Sequence, residues 1–429
     1  MKRRDFIKVS SFATIGIGLG INSVFASDSK KDILPKKSTR VVVIGGGFGG
    51  STAAKNIKML DPKIEVVLID QNDIFYSCPM SNHVIVGMSH IKEIAFKYDN
   101  LQKKYGIKFL KKEVIEIDGN SKKVFFADGY LSYDMLVVSP GIGFKYDDNI
   151  GYTKDVPKIL PHAWKAGEQT LKLNSMLKEL PKGGSVLLRV PKAPYRCPPG
   201  PYERASLIAW YLKKFKPGSK LIVIDANEDI ASKTKLFKAA FSELYSGVLE
   251  YIPDVEVQGI DANKKYIKTS KGDFTADVIN YVPDQKANES AFKFGLVPEG
   301  KLWAFVDAWT LESTQIKDVY VIGDSANRGS FGTVPHSGYI ANSMGKVAAD
   351  AVIAKLKGIK SPRPFMINTC YSMVSDEEAI WIATVYEYDD VKNLTVQVGN
   401  AGGIPEKRGK IDKEHQYSWA NAIWSDTFM

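Results

Sequence analysis

The sequence predicts an α/β fold with two domains built on parallel sheets and a small C-terminal α+β module. Three observations support this. An apolar, β-branched run leads directly into a glycine-rich turn and a helix of small residues. A second strand–turn–helix–strand pattern follows in the middle of the chain. A tail with short strand-like runs and a tryptophan-rich end closes it. At 429 residues, the chain is too long for one simple core, so two or three domains are expected.

Composition and charge are those of a folded globular protein. Hydrophobic residues make up 44% and charged residues 25%, which argues against disorder. The formal net charge is +10, of which residues 1–26 contribute +3 and the rest +7. Such a surplus can attract an acidic partner or anionic substrates, although an abundance of lysine explains it equally well. No basic block alternates with aromatic residues, so nucleic acid is not an expected partner.

The N-terminus carries an export pattern. Arg3 and Arg4 precede an apolar stretch rich in glycine and serine, and a small-residue cleavage pattern ends at Ala26. This predicts a twin-arginine (Tat) signal over residues 1–26, a linker over 27–39 and a periplasmic mature protein. A membrane anchor is the alternative, but the stretch is short for one. No other segment is long and apolar enough to span a bilayer.

The first strand, residues 40–44, runs into a Gly-x-Gly-x-x-Gly turn. Gly45 allows the tight turn, Gly47 lets the backbone approach a pyrophosphate, and Gly50 lets the following helix, expected from Ser51 to Leu60, pack on the strand. The phosphates would sit at the helix N-terminus, where free amides and the helix dipole favour negative charge. Asp70 ends the next strand and would bind the adenosine ribose. The pattern predicts a Rossmann-like dinucleotide site; a purely structural turn is the alternative.

Two later segments favour FAD as the dinucleotide. Residues 133–141 resemble the strand and turn that return the chain to the flavin in disulfide-reductase-like folds. Residues 319–324 resemble the second FAD motif of that fold, whose aspartate contacts the ribityl chain. This resemblance implies that Asp324, which follows Gly323, would make that contact here. A helix of roughly residues 337–357 follows, with Ser337 at its start.

The middle of the chain has its own α/β pattern but lacks a second glycine turn. A strand at 185–190 is followed by a proline-rich loop that contains Cys197, then by a helix from about Glu203 and by a strand at 220–225. Proline removes backbone N–H donors, so this loop is a poor pyrophosphate cradle, and NAD(P)H is not an expected partner. The predicted domains are the first part of the FAD domain (40–159), the central NAD-like domain (160–290), the second part of the FAD domain (291–358) and the C-terminal flavin-binding or interface domain (359–429).

Several segments together resemble the flavoprotein subunits of flavocytochrome c–sulfide dehydrogenases. The segments are 75–82 around Cys78, 160–168, 196–206 around Cys197, the helix start at 337–339 and 368–372 around Cys370. The resemblance covers nearly everything after the export signal. It implies the fold of FAD/NAD(P)-linked reductases and a sulfide-oxidising FAD enzyme.

The resemblance also implies a role for each of the three cysteines. Cys197 and Cys370 would form a redox disulfide, and Cys78 would attach FAD covalently. The alternatives are a purely structural disulfide and a free Cys78 thiol beside non-covalent FAD. Hydrosulfide would open the disulfide and leave a persulfide on one cysteine, and the released thiolate would reduce the flavin. Glu203 is the candidate for proton transfer, with a structural carboxylate at the helix start as the alternative.

The electron acceptor must lie outside this chain. The five histidines show no ligand spacing and there is no Cys-x-x-Cys-His motif, so neither haem nor another metal is predicted in it. The resemblance implies a c-type cytochrome subunit as partner and sulfide as substrate. Two other functions stay open at this point. One is a quinone-linked sulfide oxidoreductase, and the other is a non-catalytic flavoprotein of a sulfur-oxidation system.

Overall fold

The structure is a computed structural model that describes residues 31–332 and 334–429. The predicted export signal and the first residues of the predicted linker lie outside the described residues. The fold is α/β, as predicted, and its described residues contain two parallel sheets and three three-stranded antiparallel sheets, one of them in the C-terminal module. The domain limits given above stay predictions.

The first parallel sheet carries the glycine turn. Its five strands, in spatial order, are Val319–Val321, Met135–Val138, Arg40–Ile44, Glu65–Asp70 and Lys108–Lys111. Every residue of Arg40–Ile44 is buried because this strand has a parallel neighbour on each side. The edge strand Val319–Val321 comes from far along the chain, so residues on both sides of the central region complete one sheet.

Two helices pack on each other beside this sheet. The first helix (Phe48–Leu60) follows the glycine turn, and the long helix (Gly338–Lys357) begins one residue after Ser337. Gly345 of the long helix permits the close approach, since a side-chain carbon there would lie 2.6 Å from the backbone oxygen of Gly49.

The second parallel sheet forms the central region. Its strands, in spatial order, are Leu249–Ile252, Lys220–Asp225, Ser185–Val190 and Val278–Tyr281. Three helices belong to this region: Glu168–Glu179, the cysteine helix (Gly200–Phe215) and the lysine helix (Thr234–Tyr245). The cysteine helix begins three residues before the predicted Glu203, because Gly200 and Pro201 are both compatible with a first helical turn.

The C-terminal module is an antiparallel sheet with one helix. Its strands are Phe365–Met373, Ala379–Asp389 and Leu394–Gly403, and the C-terminal helix is Lys410–Phe428. Lys55 of the first helix donates hydrogen bonds to the carbonyls of Asp426 (2.9 Å) and Met429 (3.0 Å). This contact fixes the end of the chain against the first domain.

Smaller elements connect these units. The short strands are Ile74–Tyr76, Ala95–Lys97, Glu116–Asp118, Lys123–Phe126, Gly129–Ser132, Ile142–Phe144, Val257–Asp261, Tyr266–Thr269, Gly272–Thr275 and Gln285–Ala287. The short α-helices are Ser81–Ile85, Asp99–Tyr105, Glu289–Lys293 and Arg328–Phe331, and the 3₁₀ turns are Ile91–Ile94, Asp148–Ile150, Val156–Lys158 and Gly323–Ser325. Within the described ranges, no helix combines the length and the apolar character needed to cross a membrane.

Candidate functional site

The glycine turn has the geometry that its sequence predicts. Gly45 has φ +95°, and a side-chain carbon there would lie 2.2 Å from the backbone oxygen of Ser139. At Gly50 the same carbon would lie 1.9 Å from the oxygen of Gly45. Gly47 immediately precedes the first helix, and no side chain caps that helix end. Its first amides are therefore left for an anion.

The two predicted aspartates differ in how they are satisfied. Oδ2 of Asp70 accepts a 2.8 Å hydrogen bond from the backbone N–H of Gly46, so this carboxylate clamps the turn. Asp324 follows Gly323, which has φ +72°. Oδ1 of Asp324 is buried without a hydrogen-bond partner among the described residues. Burial raises the pKa of this carboxyl group. A buried unpaired oxygen is costly, so the Asp324 side chain is suited to a ligand hydroxyl.

A cleft of about 1120 Å³ extends from the glycine turn. Gly45, Gly47 and Asp70 line it, and so do Cys78 and Arg196. Its volume and the uncapped helix end suit a large phosphate-bearing cofactor. The residues present therefore fit FAD.

A smaller cavity of about 60 Å³ brings the three cysteines together. Cys78, Cys197 and Cys370 all line it, and all three are free thiols in the structure. Glu203 and Ser337 line it as well. Cys78 also lines the large cleft, so the two spaces meet at this residue. The structure thus gathers every predicted catalytic residue at one place, next to the cofactor cleft.

Cys197 and Cys370 touch each other although they lie far apart in sequence. Their side chains are hydrogen-bonded. That bond, together with burial, raises the pKa of Cys197, whereas the same bond lowers the pKa of Cys370. The contact is compatible with the predicted disulfide; the bond itself stays a prediction.

The loop before the cysteine helix holds Cys197 tightly. Its φ is +58°, and its backbone N–H donates a 2.8 Å hydrogen bond to the carbonyl of His336. Gly200 leaves room for the sulfur, since a side-chain carbon there would lie 2.9 Å from Sγ of Cys197. The neighbouring Ser337 caps the long helix by accepting a 3.1 Å hydrogen bond from the N–H of Ile340. The start of the long helix is thereby anchored beside the thiol pair.

Glu203 is buried behind the thiols and accepts three hydrogen bonds. The donors are the side chains of Asn82 (2.8 Å) and Gln416 (3.1 Å) and the backbone N–H of Met373 (3.0 Å). Burial is the largest influence on its pKa and raises it, while the bond from Asn82 acts in the opposite direction. A carboxyl group with a raised pKa can exchange a proton closer to neutral pH than an ordinary glutamate.

Sequence reasoning missed three residues of this site. Asn82 lies inside the segment that carries the family resemblance, but its contact with Glu203 could not be read from it. Gln416 comes from the C-terminal helix. Lys233 is buried just before the lysine helix, and its Nζ donates to Oγ of Ser372 at 2.8 Å. Neither Gln416 nor Lys233 stands in a motif, so no local signal marks them.

Three family descriptions match successive parts of the chain. Residues 39–158 match the pyridine nucleotide-disulphide oxidoreductases. Residues 170–283 match the central domain of the sulfide dehydrogenase [flavocytochrome c] flavoprotein chain. Residues 362–428 match the flavin-binding domain of flavocytochrome c sulphide dehydrogenase.

Individual relatives agree with this assignment. The chain is 53% identical over 45 residues to the sulfide dehydrogenase [flavocytochrome c] flavoprotein chain of Chlorobaculum thiosulfatiphilum, covering 10% of this chain and 94% of that sequence. It is 25% identical over 324 residues to the mitochondrial sulfide:quinone oxidoreductase of Dictyostelium discoideum, covering 71% and 69%.

A solved structure shows the same fold. The sulfide:quinone oxidoreductase of the hyperthermophilic bacterium Aquifex aeolicus superposes with a TM-score of 0.74 at 18% identity, covering 91% of this chain and 92% of that one. The fold is therefore that of the FAD/NAD-dependent oxidoreductases, and the chain belongs to the family of flavoprotein chains of flavocytochrome c sulfide dehydrogenase.

Proposed function

We propose that this FAD-dependent oxidoreductase oxidises sulfide to sulfur or polysulfide and passes the electrons to a c-type cytochrome. One observation carries the proposal. A single cavity beside the cofactor cleft holds Cys197 and Cys370 in contact, with Glu203 and Cys78 in its wall. This arrangement suits a substrate that reacts with sulfur and then gives up two electrons.

The sulfur chemistry is thiol–disulfide exchange between Cys197 and Cys370. Hydrosulfide attacks one sulfur of their oxidised pair, so a new S–S bond forms to that cysteine. The cysteine–cysteine bond breaks, and its electron pair stays on the other sulfur as a thiolate. A second hydrosulfide removes the outer sulfur as a disulfide anion, which leaves both cysteines reduced. Re-forming the disulfide releases two electrons and completes the cycle.

FAD supplies the two-electron acceptor that can release electrons singly. The uncapped start of the first helix would hold its phosphates, and Asp324 would hold a hydroxyl of its ribityl chain. Cys78 is the proposed covalent anchor because its thiol stands where the cofactor cleft meets the cysteine cavity. Glu203 would move protons to and from the exchanging sulfurs.

Two features support cytochrome c rather than quinone as acceptor. The match to the flavocytochrome family covers both the central and the C-terminal region. In addition, the C-terminal helix buries Ile423, Trp424 and Phe428 against the protein and leaves the single isoleucine Ile411 exposed near its start. It therefore offers no broad apolar face with which to dock on a membrane. The similarity to sulfide:quinone oxidoreductases supports the competing acceptor.

Periplasmic location completes the proposal. It rests on the twin-arginine pattern at Arg3 and Arg4. Export of a folded, flavin-loaded chain would place the enzyme beside c-type cytochromes. Localisation of a tagged full-length chain, compared with a variant in which both arginines are lysine, tests this point.

An acceptor assay tests the central proposal. The purified native protein is given sulfide anaerobically with either oxidised cytochrome c or a soluble short-chain quinone. We expect sulfide-dependent reduction of cytochrome c that exceeds quinone reduction, and its loss in Cys197→Ser. A higher rate with quinone would transfer the chain to the quinone-linked class. Absence of turnover with both acceptors, with intact flavin, would support a non-catalytic role.

A further inference from the structure

A buried ammonium group lies beside the strand that carries Cys370. Lys233 is 4% exposed. Its Nζ donates to the backbone carbonyl of Cys370 at 3.2 Å and to Oγ of Ser372 at 2.8 Å. No carboxylate pairs with it at salt-bridge distance in the part of the chain that the structure describes. Buried lysines normally require a counter-charge, so this one calls for a functional explanation.

The backbone holds Lys233 in a conformation that lysine rarely adopts. Its φ is +55°, and its carbonyl accepts hydrogen bonds from Leu236 and Phe237 in the first turn of the lysine helix. The ammonium group also lies 5.7 Å from the ring centroid of Phe237. Such left-handed positions persist where the surroundings determine them. The side chain of Lys233 is thereby directed towards the strand Phe365–Met373, which carries Cys370, instead of solvent.

The charged groups around Lys233 are few and can be named. Cys370, Cys197 and Glu203 are the groups whose negative forms its charge favours. Glu203 also accepts three hydrogen bonds, from Asn82, Gln416 and Met373, so the lysine is only one of the groups that stabilise its charge. Two further cations face the cavity, Arg196 and Arg204. Arg204 is committed to the backbone carbonyls of His162 and Ala163 and to the side-chain oxygens of Asn82 and Asn280.

We infer that Lys233 is the positioning residue that selects Cys370 as the thiolate of the pair and leaves Cys197 to receive the sulfur of sulfide. The part of the inference that concerns sulfur exchange rests on the proposed function. The part that concerns which thiol ionises does not. In an exchange, the sulfur with the lower pKa leaves faster. Hydrosulfide therefore attacks Sγ of Cys197, the S–S bond breaks, and the electron pair departs on Sγ of Cys370, the residue whose backbone carbonyl binds the ammonium group. The product is a Cys197 persulfide and a Cys370 thiolate.

The pKa shifts of both thiols agree with attack on Cys197 and departure of Cys370. The pKa of Cys370 is lowered first by its bond with Cys197 and further by Lys233, against the effect of burial. The pKa of Cys197 is raised by the same bond and by burial. A purely structural Lys233 would only tie the lysine helix to the strand Phe365–Met373, and its loss would change stability without changing which thiol ionises.

Thiol alkylation of the reduced holoprotein separates these roles. Iodoacetamide labelling of each cysteine is followed against pH by peptide mass mapping, which does not depend on turnover. Both thiols are half-buried, so a small reagent can reach them. We expect Cys370 to be labelled at lower pH than Cys197 in the wild type. In Lys233→Met, labelling of Cys370 at neutral pH should slow about tenfold, which corresponds to about one pKa unit.

Three further variants make the test specific. Lys233→Arg keeps the charge and should retain most of the wild-type profile. Ser372→Ala removes one acceptor of the ammonium group and should shift the Cys370 profile partway. Lys238→Met on the same helix is the matched control, because Lys238 is exposed and pairs with Asp229 at 2.7 Å. An unchanged Cys370 profile in folded Lys233→Met overturns the inference. If that variant does not fold, labelling of wild-type Cys197 at lower pH than Cys370 overturns it equally.

Sulfide labelling separates this inference from the proposed function. The oxidised wild type is treated with sulfide, alkylated, and mapped for an added sulfur atom. Sulfur on Cys197 supports both the function and the inference. Sulfur on Cys370 supports the function and overturns the inferred direction. No sulfur on either cysteine contradicts the function, while the alkylation profiles still decide whether Lys233 selects the thiolate.

Discussion

Nδ2 of Asn82 donates a 2.8 Å hydrogen bond to Oε2 of Glu203. This contact joins the segment of Cys78, the proposed flavin anchor, to the helix that follows Cys197. Oδ1 of the same asparagine accepts a 3.0 Å hydrogen bond from Nε of Arg204. The side-chain amide of Asn82 therefore holds the buried carboxyl group of Glu203 and the buried guanidinium group of Arg204 side by side. Movement of Glu203 would disturb both the cofactor segment and the thiol pair.

Replacing Glu203 with glutamine tests its role in proton transfer. The variant keeps the volume but cannot exchange a proton, so flavin reduction by sulfide should slow by about 10²-fold or more. The raised pKa of Glu203 means that the working carboxylate is lost as the pH falls through that value. We therefore expect the wild-type to variant rate ratio to decline at acidic pH. Sulfide ionisation affects both proteins equally and cancels in the ratio.

The control for that measurement is Glu377→Gln. Glu377 is exposed and pairs with Lys410 at 3.0 Å. In the Glu377→Gln variant, sulfide should reduce the flavin at the wild-type rate. A folded Glu203→Gln protein with the wild-type rate at every pH would leave Glu203 a structural carboxylate.

The sequence alone was sufficient to predict the bounds of several strands of the two parallel sheets. The strands Arg40–Ile44, Ser185–Val190 and Lys220–Asp225 have the predicted bounds. Each is a run of mostly apolar residues between polar or glycine-rich segments, which a central parallel strand requires. The first helix was predicted to begin at Ser51 but begins at Phe48. Gly49 and Gly50 belong to its first turn, because the start of a helix accommodates glycine.

The site was only partly predictable because its contacts are long-range. Resemblance identified the cysteines, but it gave no sign of Lys233, which binds the backbone carbonyl of Cys370 from 137 positions away in sequence. Gln416 reaches Glu203 across 213 positions. Such contacts depend on how three units pack, and hydrophobic periodicity carries no information about that packing.

Covalent attachment of FAD through Cys78 gives a simple prediction. After acid precipitation, the wild-type pellet should stay yellow because the flavin is bonded to the protein. Cys78→Ala should release its flavin into the supernatant but still bind some FAD, since the glycine turn and Asp324 are unchanged. Cys197→Ser is the matched control and should keep the flavin in the pellet. Complete release from the wild type would show that FAD is held non-covalently.

The central domain should not use NADH, because its own residues occupy the positions a second dinucleotide needs. Asp225 ends a strand where a ribose-binding acid is expected, yet it accepts hydrogen bonds from the hydroxyls of Tyr202 (2.7 Å) and Tyr251 (2.8 Å). The loop amides of Arg196 and Cys197 are bonded to Gln285 and His336. Anaerobic NADH should leave the flavin absorbance unchanged, whereas sulfide should bleach it. Rapid stoichiometric bleaching by NADH would indicate a pyridine-nucleotide reductase.

The catalytic and structural interpretations of the Cys197–Cys370 pair diverge in one experiment. Cys197→Ser and Cys370→Ser each remove the disulfide while keeping side-chain size, and neither cysteine is the proposed flavin anchor. If the pair is catalytic, anaerobic flavin reduction by sulfide should slow by orders of magnitude in both variants while FAD stays bound. If the pair is structural, the main effect is on the free energy of unfolding. Closing a loop of this length could contribute up to about 5 kcal/mol in the chain-entropy model.

Folding and FAD content are therefore measured first, and sulfide is then added to the folded fraction. Normal reduction rates in both folded variants would mean that the sulfurs in the cavity do not carry the reaction, and the exchange mechanism would have to be abandoned.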